Sequence, residues 1–65
     1  SAMDIISTYM RALKRRNFEL IICGATGHTL HQLERTGIAQ ALGKNMVDTM
    51  FDAERLAREL LRNIP

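Results

Sequence analysis

The chain has 65 residues, 46% of them apolar and 25% charged, with nine basic against seven acidic side chains and a net charge of +2. That length holds one small domain near the lower limit for folding without staples, and the composition excludes a disordered chain. The nearly balanced charge excludes a polyanion-binding field, so no nucleic acid is expected as a partner.

From Met3 to Arg16 the pattern is helical. Met3, Ile6, Met10 and Leu13 recur at helical spacing, and Ile5, Tyr9 and Ala12 lie beside them and are expected to widen the buried face. Asp4 sits in the first turn and Lys14-Arg15-Arg16 in the last, as the helix dipole prefers. Ser1 is placed to cap the helix. Asn17 ends it in a left-handed conformation.

Phe18-Glu19-Leu20-Ile21-Ile22-Cys23 follows at once. It is short, mostly apolar and without alternation, which predicts a central strand of a parallel sheet, buried on both faces. Gly24-Ala25-Thr26-Gly27 leads from it into a second helix over 27–36, with Thr26 as N-cap and Leu30 and Leu33 on its apolar edge. Gly37 stops that helix. With Gly37 at C′, Leu33 falls at C3 and Ile38 at C″, the pair that touches in a Schellman cap. A short turn through Ala41-Leu42 ends at Gly43. Asn45-Met46-Val47 reads as a brief edge strand. Thr49 caps a last helix with Asp52 in its first turn. Ala53, Leu56, Ala57, Leu60 and Ile64 form its stripe.

The order helix, strand, helix, short strand, helix implies a parallel α/β layer. Two strands, one of about three residues, cannot flank Phe18–Cys23 on both sides, and a lone two-stranded sheet is marginal in water. The expectation is therefore a partial domain over 1–65, whose first strands come from before Ser1 or from another chain.

Tests for chemistry return little. His28 and His31 are three residues apart, but no cysteine pair or carboxylate joins them, so no metal site is expected. The lone cysteine, Cys23, excludes an internal disulfide and reads as a small buried hydrophobe. No nucleophile–base set or carboxylate pair assembles, so neither enzyme activity nor a cofactor is expected. Gly24-Ala25-Thr26-Gly27 lacks the GxGxxG spacing and the P-loop lysine. It still leaves a helix N-terminus as an anion- or nucleotide-binding candidate. Lys14-Arg15-Arg16, with Arg11 one turn earlier, reads as a solvated helix end, with contact to membrane headgroups or an acidic partner as the other reading. No stretch approaches the ~20 apolar residues of a membrane span, and no secretory signal is present.

The stretch from Ser1 to Leu42 resembles the second half of a STAS domain, the fold of anti-sigma factor antagonists and of the cytoplasmic tails of SulP-type sulfate and anion transporters. Ser1-Ala2-Met3 looks like the end of that family's Asp-x-Ser-(Ala/Gly)-(Leu/Met) motif. The basic-ended helix and the strand Phe18–Cys23 follow in family order. Leu30 to Ile38 looks like its L-x-x-L-x-(R/x)-(S/A/T)-G-(L/I) helix ending, and Ala53 to Leu60 is similar to its closing helix. The family's first three strands, and the Asp before the motif serine, have no counterpart here.

The resemblance implies a STAS-like layer of helices on a small mixed sheet. It also implies a non-catalytic regulatory and protein-interaction domain. Leu33 to Ile38, then Leu42-Gly43-Lys44-Asn45, look more like the transporter tails. The expected setting is then the cytoplasmic face of the inner membrane, with the transporter's own membrane domain or a regulatory protein as partner. The alternative is a soluble cytoplasmic anti-sigma factor antagonist that binds a kinase/anti-sigma factor. In that branch the serine matching Ser1 is phosphorylated, and Ala2, Met3 and Asp4 would lie at the partner surface. A phosphate at Ser1 adds nearly two negative charges at a helix N-terminus. Two plainer readings stay beside this one: Ser1 as a helix cap only, and Ser1-Ala2-Met3 as a non-native leader. A third class is a swapped or intertwined homo-oligomer, in which the edges of Phe18–Cys23 pair with another copy.

Overall fold

A computed structural model describes residues 2–64. The order is helix α1 (Ala2–Arg15), strand β1 (Ile22–Cys23), helices α2 (Gly27–Arg35) and α3 (Ile38–Leu42), a 3-10 turn (Gly43–Asn45), strand β2 (Met46–Val47) and helix α4 (Met50–Arg62). The protein is a small mixed α/β fold, mostly helical. Its sheet is one parallel pair, with Ile22 opposite Met46 and Cys23 opposite Val47. Gly24 N–H extends the ladder by donating to the Val47 carbonyl at 3.1 Å.

The expected six-residue strand is corrected to two residues, for a reason visible in its hydrogen bonds. Asn17 takes φ 62° and closes α1 with a complete Schellman cap. Phe18 N–H donates to the Leu13 carbonyl at 2.9 Å, and Asn17 N–H to that of Lys14 at 3.1 Å. Phe18 thus spends its donor on the helix and stays 59% exposed. Two residues on, the Leu20 carbonyl accepts from Asn45 Nδ2 at 3.0 Å. The strand begins only where the chain is free of both ties, and none of its residues is fully buried.

The core sits at the junction of α2 and α3. Gly37 takes φ 80°, its N–H donates to the Glu34 carbonyl at 3.3 Å, and its carbonyl accepts from Ala41 N–H at 3.0 Å. One residue therefore ends α2 and starts α3, a helix where the sequence suggested only a turn. The sharp reversal brings Leu33, Ile38 and Leu42 into one buried cluster, as the cap spacing predicts for the first two. Met3, Ile6 and Met10 of α1, Leu20, Ile22 and Met46 pack around it.

Two expected faces are narrower than predicted. Ile5 and Tyr9 do not widen the buried side of α1; they are exposed, and only Ala12 is half-buried. On α4, Leu56 is buried and Ala53, Ala57 and Leu60 are half-buried, but Ile64 lies beyond the helix end and is exposed. Thr49 caps α4 as predicted, its hydroxyl accepting from Asp52 N–H at 3.1 Å. Thr26 occupies the N-cap of α2 without a side-chain cap bond.

Candidate interaction surface

The sequence-predicted residues fall in three separate places. Ser1 lies outside the described residues. Ala2 and Asp4 are exposed in the first turn of α1, while Met3 turns inward against the core. The Gly24-Ala25-Thr26-Gly27 loop joins β1 to α2. Gly24, Thr26 and Gly27 are exposed there, and Ala25 packs on the core. Leu33, Gly37 and Ile38 form the helix junction and serve the core.

The side chains weighed for chemistry do not converge. His28 and His31 are both exposed. Gln32 Nε2 lies 3.0 Å from His28 Nε2 across one turn. Cys23 is half-buried rather than buried, and its Sγ lies 3.9 Å from Met50 Sδ. No group of three His, Cys, Asp or Glu side chains suited to a metal ion is found among the described residues.

Asn45 ties the two halves of the chain together. It is 7% exposed, and its Nδ2 donates to Glu19 Oε1 at 2.8 Å and to the Leu20 carbonyl at 3.0 Å. Both bonds span about 25 residues of sequence. They set the approach of β1 to the 3-10 turn and so the register with β2. The sequence pattern places Asn45 in the Leu42-Gly43-Lys44-Asn45 run and at the start of the edge strand; it lies instead at the end of the 3-10 turn, and β2 is only Met46–Val47. An asparagine after a helix reads from sequence as a cap or turn residue, and nothing local announces a partner at Glu19.

A groove of about 470 Å³ opens between α1 and α3. Met10, Ile38 and Leu42 line it together with Arg11, Lys14 and Lys44. The rest of the surface is apolar in patches. Ile5, Tyr9, Phe18, Met50, Phe51, Leu61 and Ile64 are all exposed, and Met50 and Leu61, eleven residues apart, lie on one flank of α4.

The molecule is also more open than its mass allows for. It exposes 5314 Å², where a compact monomer of 7.4 kDa would expose about 4,200 Å². Its radius of gyration is 12.1 Å, against about 10.7 Å for a compact chain of this length. No described helix is long and apolar enough to cross a membrane.

The chain matches no protein-family model, no curated protein and no solved structure.

Proposed function

We propose that this chain is a non-catalytic interaction module: the later part of a STAS-like domain in the cytoplasmic tail of a SulP-type sulfate or anion transporter. One observation carries the interaction reading. The chain exposes roughly 1,100 Å² more than a compact monomer of its mass, which is on the scale of one partner's share of a stable interface. Met50, Phe51 and Leu61 are large apolar side chains left exposed on α4. A surface of that kind is covered in a working protein.

What supports the STAS-like part is the arrangement at the centre. Parallel strands β1 and β2 are joined through α2, which ends at left-handed Gly37 with Leu33 and Ile38 in contact in the core. Of the two Schellman bonds only Gly37 N–H to the Glu34 carbonyl is made, and the Leu33 carbonyl accepts from the Thr36 hydroxyl at 3.3 Å instead. The edge of β1 away from β2 has no strand beside it among the described residues. In this reading that edge and the adjoining apolar flank accept further strands of the same domain. The partner is the transporter's own membrane domain or a regulatory protein. The second reading is a stand-alone anti-sigma factor antagonist switched by phosphorylation at Ser1, with Ala2 and Asp4 at the docking face and Met3 held against the core. The exposure of Ala2 and Asp4 at the start of α1 supports it.

The reading frame around this segment tests both. Several upstream runs of ~20 apolar residues are expected for the transporter. A frame of about 100–150 residues without such a run overturns it in favour of the stand-alone switch. Light scattering on the 65-residue chain tests the interaction reading itself. A self-associating or partner-stabilised chain is expected, and a stable, well-folded monomer that keeps its full exposed surface would overturn it.

A further inference from the structure

The outward flank of α1 is unlike the rest of the surface. Its inward side carries Met3, Ile6 and Met10 against the core. Its outward side carries a second apolar stripe. Ile5, Tyr9, Ala12 and Arg16 follow at spacings of four, three and four, which places them along one line about 16 Å long. Ile5 is 72% and Tyr9 64% exposed. The Schellman cap at Asn17 swings Phe18 back to the foot of this stripe. There Tyr9, Ala12, Leu13, Arg15, Arg16 and Phe18 line a groove of about 510 Å³. No carboxylate lines it.

The charge is arranged to match. Arg11, Lys14, Arg15 and Arg16 fall within six residues at the C-terminal end of α1. The one acidic residue of the helix, Asp4, is in its first turn, at the far end. Glu19, the next carboxylate along the chain, is engaged by Asn45. Complementing the helix dipole accounts for a cation or two in the last turn; it gives no reason to expose Tyr9 and Phe18 beside Arg15 and Arg16.

We propose that this flank of α1, together with Phe18, docks on the surface of an anionic lipid bilayer. Ile5, Tyr9 and Phe18 enter the headgroup boundary, and Arg15 and Arg16, which stand beside Tyr9 and Phe18, meet lipid phosphates and carboxylates. Three features select a bilayer over an acidic protein or a nucleic acid. The apolar stripe runs along the helix rather than gathering in a pocket, as an in-plane helix requires. Its aromatic members stand at the basic end, where amphipathic rings and long cationic stems favour the water–lipid boundary. Arg15 and Arg16 stand beside Tyr9 and Phe18 with no carboxylate lining the groove they share, a local attraction for anionic headgroups, while the whole chain's charge of +2 is too small for a polyanion field. The proposal does not rest on the transporter reading and holds for a stand-alone protein as well.

Co-sedimentation with phosphatidylcholine vesicles, with and without phosphatidylserine, tests it. The chain is expected to pellet with the phosphatidylserine vesicles and to be released at high salt. Arg15→Glu with Arg16→Glu should weaken binding at least roughly tenfold. Tyr9→Ser with Phe18→Ser should weaken it by about as much. All four side chains are exposed, so circular dichroism should be unchanged in both pairs. Sedimentation that ignores phosphatidylserine, or no sedimentation with either vesicle, overturns the proposal. So does binding to soluble polyglutamate as tight as to vesicles and indifferent to the aromatic pair, which would assign the flank to an acidic protein instead.

Discussion

The ten residues from Leu33 to Leu42 supply three of the four buried apolar side chains among the described residues, and α1, with fourteen residues, supplies none. Both stretches are amphipathic by pattern. They differ in how each makes its contacts. The Leu33–Leu42 stretch folds on itself at Gly37, so its apolar side chains meet at short range with little loop-closure cost. Helix α1 meets the core only from outside, through half-buried Met3, Ile6 and Met10. A free helix of that length is marginal in water. The first region therefore holds the fold, and the second spends half of its apolar character on surface. A chain this short has enough side chains for one tight cluster, and what remains faces outward.

The comparison breaks first at Leu33, which is 1% exposed and the most enclosed side chain described. Leu33→Ala should cost about 2–5 kcal/mol of unfolding free energy, a large share of what a domain of this size has. Urea denaturation followed by circular dichroism measures it. A loss below ~1 kcal/mol would mean that the α2–α3 junction is not the centre of the fold.

Asn45 comes next. Removing its amide in Asn45→Ala leaves the Leu20 carbonyl in a half-buried site without its donor, at about 1–3 kcal/mol. Asn45→Asp should cost more, because it sets a carboxylate against Glu19 and the Leu20 carbonyl, all acceptors. Equal, small losses for both substitutions would show that the bonds to Glu19 and Leu20 are not formed in solution.

Gly37→Val sharpens the comparison from the backbone side. Nothing lies within 4 Å of where a Cβ would stand, so no collision is expected. The cost comes from holding a β-branched residue at φ 80°, about 1–3 kcal/mol. Gly37→Ala should lose less, and the difference between the two isolates branching from the bare loss of glycine. Unchanged melting for Gly37→Val would remove the left-handed cap from the account of why α2 turns into α3.

Much of this was legible in the sequence, and what was not shares one cause. Asn17, Gly37 and Thr49 were readable because a helix end is a local event: the residue type, its conformation and its hydrogen bond lie within a few positions. The parallel pairing of β1 with β2 followed from a helix between two apolar runs. Phe18 to Ile21 misled because apolar content predicts burial only where something lies opposite. In this chain the donor of Phe18 is taken by Leu13, and the carbonyl of Leu20 by Asn45, partners that no periodicity reveals. Ile5 and Tyr9 misled for the complementary reason. Their spacing is as helical as that of Met3 and Met10, and pattern alone cannot say which of two apolar stripes meets the core. The candidate surface was legible only in part: the basic run was plain, but its pairing with two exposed aromatics appears only once Asn17 turns Phe18 back toward Tyr9.

The smallest expected effect is also the one that separates the two flanks of α1 within a single helix. Tyr9→Ser should change stability by less than ~0.5 kcal/mol, because the ring is exposed and the two residues differ little in helix propensity. Its neighbour Met10 packs on the core, and Met10→Ala should cost about 1–3 kcal/mol even though alanine is the better helix former. Adjacent positions thus diverge for a reason that lies wholly in which side of the helix they occupy. Thermal melts of the two variants under one condition make the measurement. If Tyr9→Ser cost as much as Met10→Ala, the tyrosine would be packed against the protein in solution, and the outward stripe would be core after all. If the two differ as expected, the apolar character of Tyr9 does nothing for the fold, and its use must be sought in what α1 touches outside the chain.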